Sequence, residues 1–171
     1  AVIRSTYPPL RSSVVKTFES WFKDKFSITY NTPFVGRLVY PITDGTTLNM
    51  ELMFIAVEDD TAADKLRSWE FTGAYVNECH EIPEYLIKTI LPERTDRYPA
   101  VKDGGVLEPV IICDYNAVPT DHWLYKLAEE EKPENMAFYR QPPAIIRTPE
   151  GVYKVNPEAE NLEFLSVDYY L

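Results

Sequence analysis

Residues 71–91 read FTGAYVNECHEIPEYLIKTIL, and residues 109–131 read PVIICDYNAVPTDHWLYKLAEEE. Each stretch begins with a short apolar run, passes through polar or proline-containing residues, and ends in a segment with helical periodicity. Short apolar strands that alternate with helices of about ten residues are typical of βαβ units. The two stretches therefore predict an α/β fold with a mainly parallel sheet flanked by helices.

The apolar runs of these two units end in polar residues. Asn77-Glu78 follows the first run, and Asp114, Tyr115 and Asn116 follow the second. In open α/β sheets, ligands bind at the carboxyl ends of the strands. We therefore expect a candidate site where these two strands end, with Glu78 and Asn116 close to each other at one edge of the sheet.

The beginning of the chain predicts a strand and a helix. AVIRS (1–5) has the composition of a short strand, which we expect beside the two runs above in the parallel sheet. Tyr7-Pro8-Pro9 is expected to break the chain before Ser12-Ser13, which caps the helix VVKTFESWFKDKF (14–26). The apolar residues of that segment recur at helical spacing, so one face of the helix packs on the core.

A β-hairpin is predicted next. Two runs with strand composition, RLVYPI (37–42) and LNMELMFIAV (48–57), are separated by Asp44-Gly45, a strong turn signal. The segment TAADKLRSW (61–69) then predicts a short helix that Thr61 caps. We regard the hairpin as an insertion in the α/β core.

The last part of the chain predicts a helix and further short strands. The helix in 121–131 is expected to be capped by Asp121 and to end before Pro133. AFYRQ (137–141) has the composition of a third strand, and GVYKV (151–155) that of a short hairpin. We see no linker or repeat, so residues 1–171 are expected to form a single domain.

Composition and charge exclude several classes of protein. With 45% hydrophobic residues among 171, the chain has enough apolar side chains for a substantial core. It contains no apolar run of the ~20 residues that a membrane span needs, and AVIRSTYPPL lacks the layout of a secretory signal. A formal net charge of −10 disfavours nucleic-acid binding through neutralised phosphates. We therefore expect a soluble intracellular protein, and we do not expect this segment to make most of the contacts with DNA.

The two cysteines do not indicate a disulfide framework or a zinc site. Cys79 and Cys113 each lie in an apolar stretch, as buried cysteines of a reducing compartment do. His80 and His122 are the two histidines, and no CxxC or HxxxH spacing occurs. We therefore interpret both cysteines as small core residues.

Two polar residues are candidates for chemistry with a phosphate ligand. An acid at the carboxyl end of a strand, such as Glu78, can orient and activate the water that attacks the γ-phosphate of ATP. Acids also follow apolar strands by chance. Asn116 can sense a γ-phosphate from the neighbouring strand, or it can cap the turn between strand and helix without any ligand. The residues alone leave both alternatives open.

Four segments together resemble one protein family. They are LRSWEFTGAYVNE…KDGG (66–105), PVIICDYNAVPTDHW…QPPAI (109–145), VYKVNPEAENLEFL (152–165) and AVIRSTYPPLRSSVVKTFESWF (1–22). They look like the large terminases of tailed bacteriophages and prophages, most specifically between Trp69 and Pro143. The resemblance implies the central and C-terminal part of a P-loop ATPase domain of the RecA-like (ASCE) type. That domain belongs to a motor that packages double-stranded DNA into procapsids.

The resemblance also implies roles for individual residues. FTGAYVNE aligns with the Walker B segment, so Glu78 is expected to be the catalytic glutamate and DYNA, with Asn116, the coupling motif. Asn77 stands where many relatives have aspartate, so Asn77 and Glu78 are the expected ligands of Mg²⁺, in part through water, and Asn77 and Asn116 contact ATP. Arg67 is expected to act on the γ-phosphate of a neighbouring subunit, with Arg94 and Arg97 as alternatives. Arg67 can equally pair with Asp64 or Glu70 on a solvated helix face.

One motif of the family is missing. No G-x-x-x-x-G-K-[ST] occurs in the sequence, and that loop supplies the groups that bind the phosphates and Mg²⁺. No segment matches the nuclease domain of the family. We therefore expect an incomplete P-loop core, a fragment that hydrolyses ATP poorly or not at all.

The family further implies partners and a location. Its members work with a portal protein, a small terminase subunit and double-stranded DNA, and they self-associate into a ring. They act at the procapsid in the host bacterial cytoplasm, with no membrane.

Two other functions are compatible with the residues. A metal-dependent nuclease can be built from acids at strand ends, here Asp59, Asp60, Glu78, Asp114 and Asp121. A non-catalytic scaffold suits an acidic surface with many aromatic residues.

Overall fold

The computed structural model describes residues 1–106, 108–160, 162–164 and 168. These residues form two compact units, Ala1–Leu124 and Tyr125–Leu171. The expectation of a single domain stays a prediction.

A six-stranded sheet organises the first unit. Its strand order is β2-β3-β4-β1-β5-β6. The strands are β1 (Val2–Arg4), β2 (Phe26–Thr29), β3 (Phe34–Pro41), β4 (Thr47–Ala56), β5 (Ala74–Val76) and β6 (Ile111–Cys113).

The part of the sheet that carries the polar strand ends is parallel. β1 pairs in parallel with both β4 and β5, and β5 pairs in parallel with β6. Ile3 lies opposite Val76, and Val76 lies opposite Cys113. The prediction that AVIRS, GAYVN and PVIICD share one parallel sheet is therefore confirmed, as is the α/β fold class.

The predicted hairpin is confirmed, and it belongs to a larger antiparallel part of the sheet. β3 and β4 pair antiparallel from Phe34 opposite Phe54 to Pro41 opposite Thr47. Asp44 stabilises the turn, because its carboxylate accepts a 2.8 Å bond from the Thr46 N–H. β2 extends this antiparallel part of the sheet by pairing with β3.

The first helix begins earlier than expected. Helix α1 (residues 7–22) consists of the contiguous segments Tyr7–Pro9, Leu10–Val15 and Lys16–Phe22. The prolines begin the helix instead of breaking it, because the first turn of a helix does not use their missing N–H groups. The predicted Ser12-Ser13 cap is thus wrong. Phe26 begins β2 instead of ending the helix.

The remaining helices of the first unit lie close to their predicted positions. Helix α2 (Asp60–Lys65) is capped by Asp59, which accepts the Ala62 N–H at 2.8 Å, so the predicted Thr61 cap is wrong by two residues. Helix α3 consists of Leu86–Ile90 and Leu91–Arg94. A short helical segment, Trp123–Tyr125, follows β6.

The two faces of the sheet pack against different apolar clusters. Because side chains alternate along a strand, Val2 and Phe54 belong to the cluster under α1, and Ile3 and Ile55 to the cluster under α2 and α3. Phe54 and Ile3 are fully buried. Around β1 and β5 both faces of the sheet are covered, which explains the nearly continuous apolar runs in these parallel strands.

A buried glycine allows two aromatic rings to meet over β3. A Cβ atom added at Gly36 would lie 2.6 Å from Cε2 of Phe26 and 2.9 Å from Cε2 of Phe54. We predict that Gly36→Ala lowers the free energy of unfolding by about 1–3 kcal/mol, because both rings are held by the core. Urea denaturation measures this, with Val39→Thr on the exposed face as the control expected to stay within about 0.5 kcal/mol of wild type. Equal urea midpoints for Gly36→Ala and Val39→Thr would contradict the close approach of the two rings to Gly36.

The second unit contains a helical segment and a hairpin. The helix α4 (Lys126–Glu131) is followed by β7 (Ile145–Arg147) and β8 (Tyr153–Val155), which pair antiparallel. This confirms the hairpin expected around GVYKV. The expected strand AFYRQ (137–141) is wrong, since these residues have no regular secondary structure. In the described parts of both units, no helix has the length and apolar character of a membrane span.

Candidate active site

Polar side chains from β1, β5 and β6 meet at the carboxyl ends of these strands. Arg4 ends β1, Asn77-Glu78 follows β5, and Asp114 follows β6. Parallel pairing brings these ends to one edge of the sheet, where residues 36 to 73 positions apart in sequence form hydrogen bonds. The site predicted at this edge is therefore a connected group of side chains.

Asn77 lies at the centre of this group. Its Oδ1 accepts a 2.8 Å hydrogen bond from Nη1 of Arg4. Its Nδ2 donates to both carboxylate oxygens of Asp114, at 3.1 and 2.9 Å. The side-chain amide therefore links a cation of β1 to an anion of β6.

Glu78 occupies an unusual backbone conformation beside this group. Its φ of 54° and ψ of 50° are in the left-handed region, which glutamate rarely adopts. Nδ2 of Asn116 lies 3.3 Å from Oε2 of Glu78, and Nδ1 of His80 lies 3.4 Å from the same oxygen. The prediction that Glu78 and Asn116 are neighbours is thus confirmed, while their roles stay predictions.

The tyrosine of β5 completes the group. The hydroxyl of Tyr75 donates to Oδ2 of Asp114 at 2.8 Å. Burial, together with this bond and the negative charge of Asp114, raises the pKa of Tyr75 to about 12. Tyr75 is therefore a protonated donor to Asp114 at any physiological pH.

Sequence reasoning missed most of these contacts. Arg4 and Tyr75 were not candidates, and His80 entered only in the zinc alternative. Asp114 was expected among the polar residues at the strand ends and in the nuclease alternative, but not as a partner of Asn77 or Glu78. The sequence contained one indication of these contacts. Arg4 ends the strand AVIRS, and parallel pairing of that strand with β5 brings Arg4 beside Asn77. The spacing of these residues in the sequence contains no such information.

The described residues do not by themselves build a metal site. The amide oxygen of Asn77 accepts a hydrogen bond from the guanidinium of Arg4, so a metal ion would compete with Arg4 for this oxygen. Within the described ranges, no group of three or more His, Cys, Asp and Glu side chains could hold a metal ion. Magnesium binding by Asn77 and Glu78 stays a prediction. Of the five acids of the nuclease alternative, Glu78 and Asp114 lie together, but the described residues do not bring a third acid to them. Asp59, for example, is engaged as the cap of α2.

The cysteines also match their structural interpretation. Cys79 is buried, Cys113 is half-buried, and both are free thiols. A hydrogen bond with Cys113 and burial raise the pKa of the Cys79 thiol above its usual range, so it remains protonated. A protonated buried thiol is a poor nucleophile.

Arg67 lies on the surface, in the turn Leu66–Ser68 that follows α2. Its guanidinium contacts Asp64 and Glu93, each at 3.1 Å, and lies 5.2 Å from the centre of the Tyr85 ring. The pairing with Asp64 is the alternative that the sequence left open. None of these contacts joins Arg67 to Glu78, and the expected action of Arg67 on a neighbouring subunit stays a prediction.

A mixing experiment decides between these two roles of Arg67. If Arg67 acts on the γ-phosphate bound by a neighbouring subunit, oligomers that mix Arg67→Ala and Glu78→Gln subunits are expected to recover ATP hydrolysis. In such oligomers, some interfaces combine an intact Arg67 with an intact Glu78. Arg94→Ala is the comparison, since Arg94 is the alternative arginine. Full hydrolysis by Arg67→Ala alone would leave Arg67 as a surface residue whose ion pairs contribute little.

No family model and no curated protein matches this chain. Its fold is similar to that of solved phage proteins. The large terminase of a thermophilic bacteriophage superposes with a TM-score of 0.52 at 15% identity, over 75% of this chain and 30% of that chain. The large terminase ATPase domain of Thermus phage P74-26 gives 0.39 at 15% identity, over 93% and 60% of the two chains.

The chain therefore spans less than two thirds of the length of these solved terminases. The first superposition confirms the α/β fold that the sequence resemblance implied.

Proposed function

We propose that this chain is part of the ATPase domain of a phage large terminase, the motor that packages double-stranded DNA, and that Glu78 is its catalytic base. One observation carries the proposal. Glu78 lies at the carboxyl end of a parallel strand, directly beside Asn116 of the next strand, at 3.3 Å. This is the place where α/β folds bind ligands. The sequence resemblance and the terminase-like fold support the same assignment.

The reaction assigned to Glu78 is the hydrolysis of ATP to ADP and phosphate. A water oxygen attacks the γ-phosphorus, the bond to the β,γ-bridging oxygen breaks, and Glu78 takes the proton of the water. Asn116 and His80 both approach Oε2 of Glu78, so we assign Oε1 to the water. Asn116 is well placed to report the loss of the γ-phosphate to the helix that follows β6.

The phosphate-binding groups come from residues outside this chain. The 171 residues contain no G-x-x-x-x-G-K-[ST] loop. In the sheet that the described residues form, β6 is an edge strand, so a further strand and loop can approach the site beyond it. Magnesium bound with the nucleotide would neutralise phosphate charge, and its remaining ligands would come from that loop and from water. Assays of ATP hydrolysis therefore require the complete gene product that contains these residues.

The partners follow from the same proposal. A packaging motor assembles as a ring at the portal protein of a procapsid, receives DNA with the help of a small terminase subunit, and works in the cytoplasm of the host. The net charge of −10 indicates that segments other than this one contact most of the DNA phosphates.

Calorimetric titration of the complete gene product with a non-hydrolysable ATP analogue and Mg²⁺ tests the proposal. We expect saturable binding and ATPase activity. A scaffold would show no binding. A nuclease would instead nick plasmid DNA with Mn²⁺ in a manner that Glu78→Ala abolishes, and either of these results would overturn the proposal.

A further inference from the structure

The carboxylate of Asp114 receives hydrogen bonds from three different groups. Oδ1 accepts the backbone N–H of Glu78 at 2.6 Å and Nδ2 of Asn77 at 3.1 Å. Oδ2 accepts the Tyr75 hydroxyl at 2.8 Å and Nδ2 of Asn77 at 2.9 Å. All three donors belong to β5 or to the two residues that follow it, so one side chain, directly after β6, holds the whole end of β5.

These contacts use the full capacity of the carboxylate. An ionised carboxylate offers about four lone-pair sites, and the four contacts of Asp114 occupy them. Little capacity remains for a metal ion or for a proton from water. Asp114 therefore acts on its neighbours and not on a reactant.

The main chain around Asp114 holds the same turn. Asp114 N–H donates to the carbonyl of Val76 at 3.1 Å, and its own carbonyl accepts the Cys79 N–H at 2.8 Å. Glu78 lies between Val76 and Cys79 in the left-handed conformation, which carries an energetic cost for a non-glycine residue. The bonds on both sides, with the side-chain bond to the Glu78 N–H, offset that cost.

The conformation of this turn decides where the Glu78 side chain points. A left-handed residue directs its Cα–Cβ bond differently from an extended one, and here the carboxylate comes to lie beside Asn116 and His80. If the turn relaxed toward extended backbone, the carboxylate would leave that position.

We propose that Asp114 is a positioning residue, which fixes the turn at Glu78 and thereby aims the Glu78 carboxylate, and that Tyr75 in turn fixes Asp114. This inference rests on the proposed role of Glu78 as base. The proposed role requires that both side-chain oxygens of residue 114 accept hydrogen bonds. An asparagine at that position would present an N–H₂ group to donors on one side and lose at least one bond.

Steady-state kinetics of the complete gene product test this proposal. Asp114→Asn is expected to lower kcat for ATP hydrolysis about 10²-fold, because a misplaced base loses near-attack geometry. KM for ATP is expected to stay within about twofold, since the Asp114 carboxylate is engaged by Tyr75, Asn77 and Glu78. Asp103→Asn, an exposed acid in the turn Val101–Asp103, is the control expected to keep both constants.

A double-mutant cycle separates positioning from general destabilisation. Tyr75→Phe removes one donor to Asp114 and is expected to lower kcat about tenfold, as the loss of a charge-assisted hydrogen bond does. In the Asp114→Asn background, the same change is expected to have little further effect, because both residues act through one carboxylate. Two independent, multiplying losses would overturn the proposed chain of contacts.

The Glu78 amide resonance in the 171-residue chain provides a readout that does not depend on activity. A short bond to a carboxylate deshields the amide proton, so Asp114→Asn is expected to move this resonance upfield while distant resonances stay unchanged. Wild-type kcat in Asp114→Asn, with Glu78→Gln inactive, would overturn the positioning role alone. If Asp114→Asn fails to fold, Tyr75→Phe decides, and an unchanged kcat there would refute it. Hydrolysis by Glu78→Gln would instead overturn the proposed function.

Discussion

Glu78→Gln is expected to reduce ATP hydrolysis by the complete gene product about 10²–10⁴-fold, the range that a positioned general base contributes. The amide preserves the shape of the side chain, and its oxygen can still accept the 3.3 Å bond from Asn116. It cannot take a proton from water. The variant should therefore bind ATP as tightly as wild type, which calorimetry measures beside the phosphate-release assay.

A neighbouring glutamate provides the matched control. Glu81 lies three residues further along, is exposed, and accepts a bond from the Ser5 hydroxyl at 2.5 Å. Glu81→Gln makes the same chemical change close to the site and is expected to leave kcat unchanged. Equal hydrolysis by Glu78→Gln and Glu81→Gln would remove Glu78 from the mechanism.

The isolated 171-residue chain is expected to hydrolyse ATP at least about 10³-fold more slowly than the complete gene product. Phosphoryl transfer depends on positioning and on neutralising the charge of the phosphates, and effective molarities for well-oriented groups are large. The Glu78 carboxylate is present in both proteins. In the isolated chain, however, no phosphate-binding loop holds the γ-phosphate near it.

Comparing the two proteins under identical conditions measures this effect. Glu78→Gln in the isolated chain is the control, since it should leave any residual rate unchanged. A residual rate that requires Glu78 and approaches that of the complete protein would show that these residues bind ATP by another route. The proposal that the phosphate loop lies outside them would then fail.

Local patterns were sufficient for most elements of the fold. Apolar runs that end in polar residues predicted β5 and β6, and Asp44-Gly45 predicted the β3–β4 hairpin, because strand composition and turn chemistry are properties of neighbouring residues. Caps and helix starts were less predictable. The first helix begins at Tyr7, before the predicted Ser12-Ser13 cap, because a proline pair can either begin a helix or break one.

The sequence by itself determined that Glu78 and Asn116 meet, since parallel strands bring their carboxyl ends to one edge of the sheet. Only the tertiary structure decided what surrounds them. The bonds from Arg4 to Asn77 and from Glu78 to Asp114 join residues 73 and 36 positions apart. Their geometry depends on strand order, register and the left-handed turn at Glu78. No local pattern encodes those three features, because each arises from the packing of the whole sheet.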